Sequence, residues 1–260
     1  MNAVIFDNVA KQFESSDSGT GLQRYAVQGL TFEVGAGEIV AVVGKTGCGK
    51  STMFNLLIGL IAPTSGRVEV LGHNPFREFD RFRGKIGVVF QNDRLLPWRN
   101  ALDNVAYGLE LSRTPHDKRY EAARGWLARL GLSGHEQEYP HALSGGMRQR
   151  VSIARAFATH PQILLCDEPF SALDELTGAT LRQEFQALVR ETTQTSLFIT
   201  HSIREAIELG RRILVFRAPG HVSLEIDVQQ ALAEHGEPRL KEIILEAMGD
   251  KPADPGANPS

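Results

Sequence analysis

The chain has 260 residues, 42% hydrophobic and 23% charged, with a formal net charge of −3. That length buries a sizeable core in one large domain or two small ones, with a composition ordinary for a soluble globular protein. The slightly acidic balance argues against a nucleic-acid binder, and no apolar run reaches the roughly 18–20 residues needed to cross a bilayer.

The opening segment, Met1-Asn2-Ala3-Val4-Ile5-Phe6-Asp7, has no basic stretch followed by an apolar one, so no secretory signal is expected. Residues 4–9 read as a short strand and 12–24 as a polar, Ser/Gly-rich loop. Gly37-Glu38-Ile39-Val40-Ala41-Val42-Val43 then reads as a turn and a strand buried on both faces. It runs into Gly44-Lys45-Thr46-Gly47-Cys48-Gly49-Lys50-Ser51, followed by Thr52 and a helical stretch that stops at Ala62-Pro63. Strand, glycine loop and helix form the context of the P-loop pattern G-x-x-x-x-G-K-[ST]. In such a loop, backbone N–H groups and the positive end of a helix surround phosphate oxygens. Lys50 reaches the β- and γ-phosphates, and the Ser51 hydroxyl ligates Mg²⁺. The expected ligands are therefore ATP and Mg²⁺.

Further strands are expected at 66–71, 85–90, 163–166, 196–200 and 212–216. Between 91 and 161 the pattern becomes helical. Asn100 followed by Asp103 resembles a helix start, residues 115–130 form a second amphipathic helix, and 145–159 a third. Ile163-Leu164-Leu165-Cys166-Asp167-Glu168 is an apolar strand ending in two carboxylates. Downstream of a P-loop, Asp167 is expected to hold Mg²⁺ through water and Glu168 to polarise the attacking water. In Leu143-Ser144-Gly145-Gly146-Met147, Ser144 caps a helix whose first residues lack side chains, an anion site made of backbone donors. Both cysteines, Cys48 and Cys166, fall inside these motifs, which argues against a disulfide framework and for a reducing compartment. The eight histidines show no metal-ligand spacing. Cys48 lies near helix-N-terminal N–H groups that favour a thiolate, or else simply fills the loop.

In this order the motifs resemble those of the ATP-binding subunits of ABC transporters, over residues 1 to about 220. Leu143 to Gln149 is similar to the family's signature, Asp167-Glu168-Pro169 to its second nucleotide motif, and Ser171-Ala172-Leu173-Asp174 to its D-loop. Thr200-His201 resembles the switch histidine, and Gln91 the Q-loop glutamine. The resemblance implies an α/β fold: a P-loop NTPase (RecA-like) core sheet, an N-terminal antiparallel β part and an inserted α-helical subdomain. The expected partition is an ATPase domain over 1–225, with its core at 1–91 and 159–225 and its helical subdomain at 92–158. A C-terminal extension, 226–260, ends in a disordered Pro-rich tail.

It also implies roles. Glu168, His201 and Gln91 are catalytic; Ser51, Gln91 and Asp167 face Mg²⁺. Ser144, Gly145 and Gly146 contact ATP held by a second ATPase subunit, in a homodimer or beside a similar chain, with Asp174 at the dimer interface. Phe13 stacks on adenine, with Tyr25 as the alternative.

Arg94-Leu95-Leu96-Pro97-Trp98-Arg99 resembles a segment of importers of the nitrate, sulfonate and taurine class. As an exposed apolar run it reads as a docking site for a membrane permease in preference to local packing. The expected setting is the cytoplasmic side of the inner membrane, with a permease, a solute-binding protein acting through it, and no nucleic acid. The alternatives are a non-transport ABC ATPase of translation or DNA repair, or an exporter subunit. Ser202, where the family often has an acidic residue, and Leu209-Gly210-Arg211-Arg212 depart from the common pattern, and the chain after Pro219 matches none.

Overall fold

The computed structural model describes residues 1–14 and 23–249. In chain order these form β1 (Asn2–Glu14), β2 (Gln23–Gly35), β3 (Ile39–Gly44), α1 (Lys50–Leu57), β4 (Ser65–Val70) and β5 (Ile86–Val89). Then come α2 (Ala101–Leu111), α3 (His116–Arg129), α4 (Gly145–Ala158), β6 (Ile163–Asp167), α5 (Glu175–Thr192) and β7 (Thr195–Thr200). The chain continues through α6 (Ile203–Leu209), β8 (Arg212–Arg217), β9 (His221–Asp227) and α7 (Val228–Ala247). Among the described residues no helix is long and apolar enough to cross a membrane.

The chain divides into two compact units. One comprises Gly35–Glu38 and Arg77–Ile199, the other Asn2–Val34, Ile39–Phe76 and the chain from Thr200 onward. In the first, β5, β6 and β7 lie parallel in that order, with Val89 beside Cys166 and Asp167 beside Ile199. Parallel strands covered on both faces need near-continuous apolar side chains, and Ile163, Leu164, Leu165 and Cys166 are all buried. Helix α4 contacts α2, α3, α5 and β5. Phe185 of α5 is the centre of the apolar packing: Phe157, Phe170 and Phe198 meet its ring edge-to-face at 5.7, 5.6 and 5.5 Å, the geometry that aromatic quadrupoles favour.

In the second unit β2, β1 and β4 form an antiparallel sheet, β3 pairs parallel with β8, and β8 pairs antiparallel with β9. Helix α6 packs on β3, and α7 on β8 and β9. One strand runs further than expected. β1 runs past the apolar residues because the polar ones still complete a ladder: Thr64 N–H donates to Ala10 O, and Gln12 N–H donates to Thr64 Oγ1. The rest of the expected polar loop, 15–22, lies outside the described residues, as does 250–260 of the expected tail.

The expected boundary at 225/226 falls inside β9. Val222, Leu224 and Ile226 give that strand its alternation, and Ile226 is buried with Val228, Leu240 and Ile244 of α7. Helix α7 is broken at Gly236, whose φ of 70° and ψ of 164° are non-helical, just before Pro238.

Truncation of Phe185 tests the aromatic cluster. The Phe185→Ala variant is expected to lose about 3–5 kcal/mol of stability, measured by urea unfolding of the full chain; a loss below about 1 kcal/mol would show that the site collapses around the gap.

Candidate functional site

The phosphate-loop pattern lies in the second unit, where β3 ends. Val40, Ala41, Val42 and Val43 are fully buried, so the strand has no side chain free for chemistry and the first polar groups appear at its end. Gly47 and Gly49 have φ of 79° and 107°, the left-handed backbone that lets successive N–H groups converge on an anion. Gly49 also meets the chain closely: a Cβ there would lie 2.6 Å from Ala26 O and 2.9 Å from Gly220 Cα. Its carbonyl accepts from Met53 N–H at 2.9 Å, which starts α1. Lys45, Thr46, Gly47 and Ser51 are exposed, Thr52 half-buried. Lys50, only 7% exposed, donates from Nζ to Gly44 O at 2.6 Å and Lys45 O at 2.9 Å. The loop thus folds around its own ammonium, which a buried charge requires.

Of the two readings of Cys48, the structure favours the loop-filling one. Its thiol is buried, and burial pushes its pKa above the ordinary thiol value despite the opposing charge of Lys50 at 3.9 Å. Desolvation outweighs the helix N-terminus, so a thiolate is disfavoured. Cys166, fully enclosed, is pushed up further by burial and by Asp167.

His201 belongs to the same unit and is exposed. The neighbouring Ser202 is the N-cap of α6, accepting from Glu205 N–H at 3.3 Å. Ser202 N–H donates to Thr200 Oγ1 at 3.0 Å, and that hydroxyl donates to Glu205 Oε2 at 2.7 Å. This is a capping box relayed through a threonine. Serine therefore supplies the capping oxygen that an aspartate supplies equally well. Gly210 is explained by close approach, since a Cβ there would lie 2.9 Å from both Ala206 O and the Ala41 side chain. Phe13 and Tyr25, on β1 and β2, are 45% and 39% exposed, and Lys11 Nζ lies 5.3 Å from the Phe13 ring centre. Exposure does not separate the two.

The carboxylate pair lies in the first unit. Asp167 ends β6 and is half-buried; Glu168 follows with φ of 47°, a left-handed conformation that costs a non-glycine residue roughly 1–2 kcal/mol. Glu168 N–H donates to Ile199 O at 2.8 Å, its carbonyl accepts from Ser171 Oγ at 3.0 Å, and Phe170 is anchored in the aromatic cluster. The turn is thus fixed on both sides of Glu168. Gln91 is exposed just past β5. Gln149 of α4 binds the two strand exits: its Nε2 donates to Pro169 O at 2.6 Å and to Phe90 O at 3.4 Å. The sequence reading includes Gln149 in the signature-like segment but gives it no role; its burial at 4% exposed is what the structure adds.

Ser144 is the N-cap of α4, accepting from Met147 N–H at 3.3 Å, and is exposed together with Gly145. A Cβ on Gly146 would lie 2.9 Å from Thr177 Cγ2 of α5. Asp174 is exposed and caps α5 through Thr177 N–H at 3.0 Å, which holds its carboxyl below the usual aspartate value. The Leu95–Trp98 segment is not uniformly exposed: Leu95 turns inward, Leu96 is half-buried and Trp98 is 71% exposed.

A family model described as "ABC transporter" matches residues 27–171. The chain belongs to the ABC transporter family. An ABC transporter ATP-binding protein of Methanocaldococcus jannaschii, itself named as uncharacterized, is 40% identical over 227 residues, 86% of this chain and 82% of the relative. The taurine import ATP-binding protein of Yersinia pestis bv. Antiqua is 42% identical over 216 residues, 82% and 83% of the two chains. Its counterpart from Escherichia coli K12 is 41% identical over 198 residues, 76% of each. An ATP-binding cassette solved as a dimer in a post-hydrolysis state, bound to ADP and phosphate, superposes with a TM-score of 0.74 at 33% identity, covering 86% and 98%. This ABC protein has the P-loop α/β fold of such cassettes, binds ATP and is an ATPase.

The burial of Cys48 predicts slow alkylation. In the native ABC ATPase, iodoacetamide at neutral pH is expected to label Cys48 and Cys166 roughly a hundredfold more slowly than in denaturant, followed by mass spectrometry. Rapid native labelling of Cys48 would contradict the burial argument.

Proposed function

We propose that this ABC ATPase energises import of a small anionic or sulfonate-like solute, of the nitrate, sulfonate and taurine class. The observation that carries the reading is the 41–42% identity to taurine import ATP-binding proteins over three-quarters or more of the chain. The exposed Trp98 beside the inward-turned Leu95 supports it as a seat for a permease segment. In this reading the protein sits on the cytoplasmic side of the inner membrane, held by the permease, with a solute-binding protein acting through that permease. Residues 1–91 and the chain from 159 to the end of β9 at Asp227 serve as the ATPase core, and 92–158 as its helical subdomain.

Lys50 releases its loop carbonyls to neutralise the β- and γ-phosphates, and the N–H groups of Gly44 to Thr52 orient them. Phe13, or in its place Tyr25, stacks on the adenine. The Ser51 hydroxyl, the Asp167 carboxylate and the Gln91 amide oxygen are the oxygen donors that would hold Mg²⁺, a hard cation that such ligands suit. When bound, that ion neutralises charge developing on the phosphate oxygens. Glu168 accepts the proton of the attacking water, and His201 hydrogen-bonds the γ-phosphate. Ser144, Gly145 and Gly146 of one chain face the nucleotide of a second copy, with Asp174 at that interface. The dimeric cassette holding ADP and phosphate supports the two-chain arrangement.

Changing Glu168 to Gln removes the base and keeps the shape. Glu168→Gln is expected to lower kcat by about 10²–10⁴-fold while retaining ATP, and to trap an ATP-dependent dimer on size exclusion. An active monomeric variant would overturn these roles. Gentle affinity purification from native membranes is expected to bring a multi-helix permease at near one-to-one stoichiometry, and uptake assays with that complex then test sulfonates against other anions. Recovery of ribosomal or DNA-repair proteins in place of a permease would overturn the transport reading.

A further inference from the structure

The segment after Gln91 is fastened to the first unit at several points. Asn104 of α2, fully buried, accepts from Leu96 N–H at 2.8 Å and donates to Leu96 O at 3.2 Å and Arg99 O at 2.9 Å. Arg155 of α4 donates to the carbonyls of Asp93 and Arg94, each at 2.8 Å. These bonds set the shape of the backbone from Asp93 to Arg99.

A third attachment is of another kind. Arg148, in the first turn of α4, donates from Nε to Asp93 Oδ2 at 3.0 Å and from Nη1 to Leu143 O at 2.8 Å. The other oxygen of the same carboxylate accepts from Leu95 N–H at 3.1 Å. One guanidinium therefore joins the residue that precedes Ser144 to a carboxylate that shapes the turn leading to Trp98. The Arg148 and Asp93 side chains are 36% and 28% exposed, so water screens the pair and it adds little to stability. The planar fork instead fixes direction, since it holds two acceptors at set angles.

We infer that Arg148 is a positioning residue whose pairing with Asp93 makes the Ser144-Gly145-Gly146 helix start and the segment after Gln91 move as one body. The inference rests on the proposed roles of Gln91 and of the Ser144 to Gly146 segment toward a shared nucleotide. Displacement of the Trp98 segment by a seated partner is then carried to the α4 N-terminus, and closure of two chains around ATP is carried back.

A double-mutant cycle on the full chain tests this: Asp93→Ala, Arg148→Ala, both together, and Arg148→Lys, each with and without Glu168→Gln. Each alanine variant is expected to lower kcat about fivefold or more with unchanged Tm and unchanged ATP affinity under non-hydrolysing conditions. The double variant falls no lower than the worse single one, and Arg148→Lys, which keeps the charge, recovers part of the loss. In the Glu168→Gln background the alanine variants dimerise at higher ATP than the parent. Losses that multiply in the double variant, or that track a fall in Tm, overturn the inference. A Glu168→Gln parent that stays monomeric with ATP and Mg²⁺ overturns the shared-site reading and this inference with it. Equal dimerisation with and without the pair overturns the inference alone.

Discussion

Burial of the parallel strands on both faces is the constraint on which the rest of the structure depends. From Val40 to Val43 and from Ile163 to Cys166 no side chain reaches water, so polar groups appear only where the strands end. At the end of β3 the chain turns through left-handed glycines, at the end of β6 through a left-handed glutamate. The residues proposed for nucleotide chemistry therefore stand on backbone turns whose geometry the strands impose. Nearby residues anchor such turns: Phe170, two residues after Glu168, sits in its aromatic cluster, and Thr200, at the end of β7 just before His201, sits in the capping box of α6.

Helix starts serve a second purpose in this protein. Asn100, Ser144, Asp174, Ser202 and Asp227 each accept from an N–H in the first turn of the following helix. Two of them, Ser144 and Asp174, also fall in segments that resemble motifs of the ABC family. A capping side chain is held in one orientation by the backbone it satisfies, which presents its remaining lone pairs to solvent in a fixed direction.

Much of this was legible in the sequence because local chemistry dictated it. The order of β3, loop and α1 follows from an apolar run, glycines and a helical period, and Asp167 and Glu168 stand at a strand end because apolar residues stop there. What escaped were features set by tertiary neighbours. β1 outlasts its apolar residues because Thr64 completes its ladder. β9 and α7 carry ordinary alternation and helical spacing, but they match no family pattern that would give them a role. Leu95 looked exposed beside Pro97 and Trp98, but Asn104 turns the segment so that this leucine faces inward. For Cys48 the helix terminus was visible in sequence, whereas the burial that outweighs it is set by tertiary packing that no local pattern announces.

The fastening of Trp98 has a thermodynamic consequence. Hydrogen bonds to Asn104 and Arg155 fix the backbone on both sides of this indole, and the ring itself has few rotatable bonds. Loss of chain entropy on ordering the segment therefore falls on folding and not on association. A surface of this kind captures its counterpart with little rearrangement, and its selectivity resides in shape more than in adaptability. If a partner docks here as proposed, one whose contour differs by a side chain meets a surface that does not yield to accommodate it.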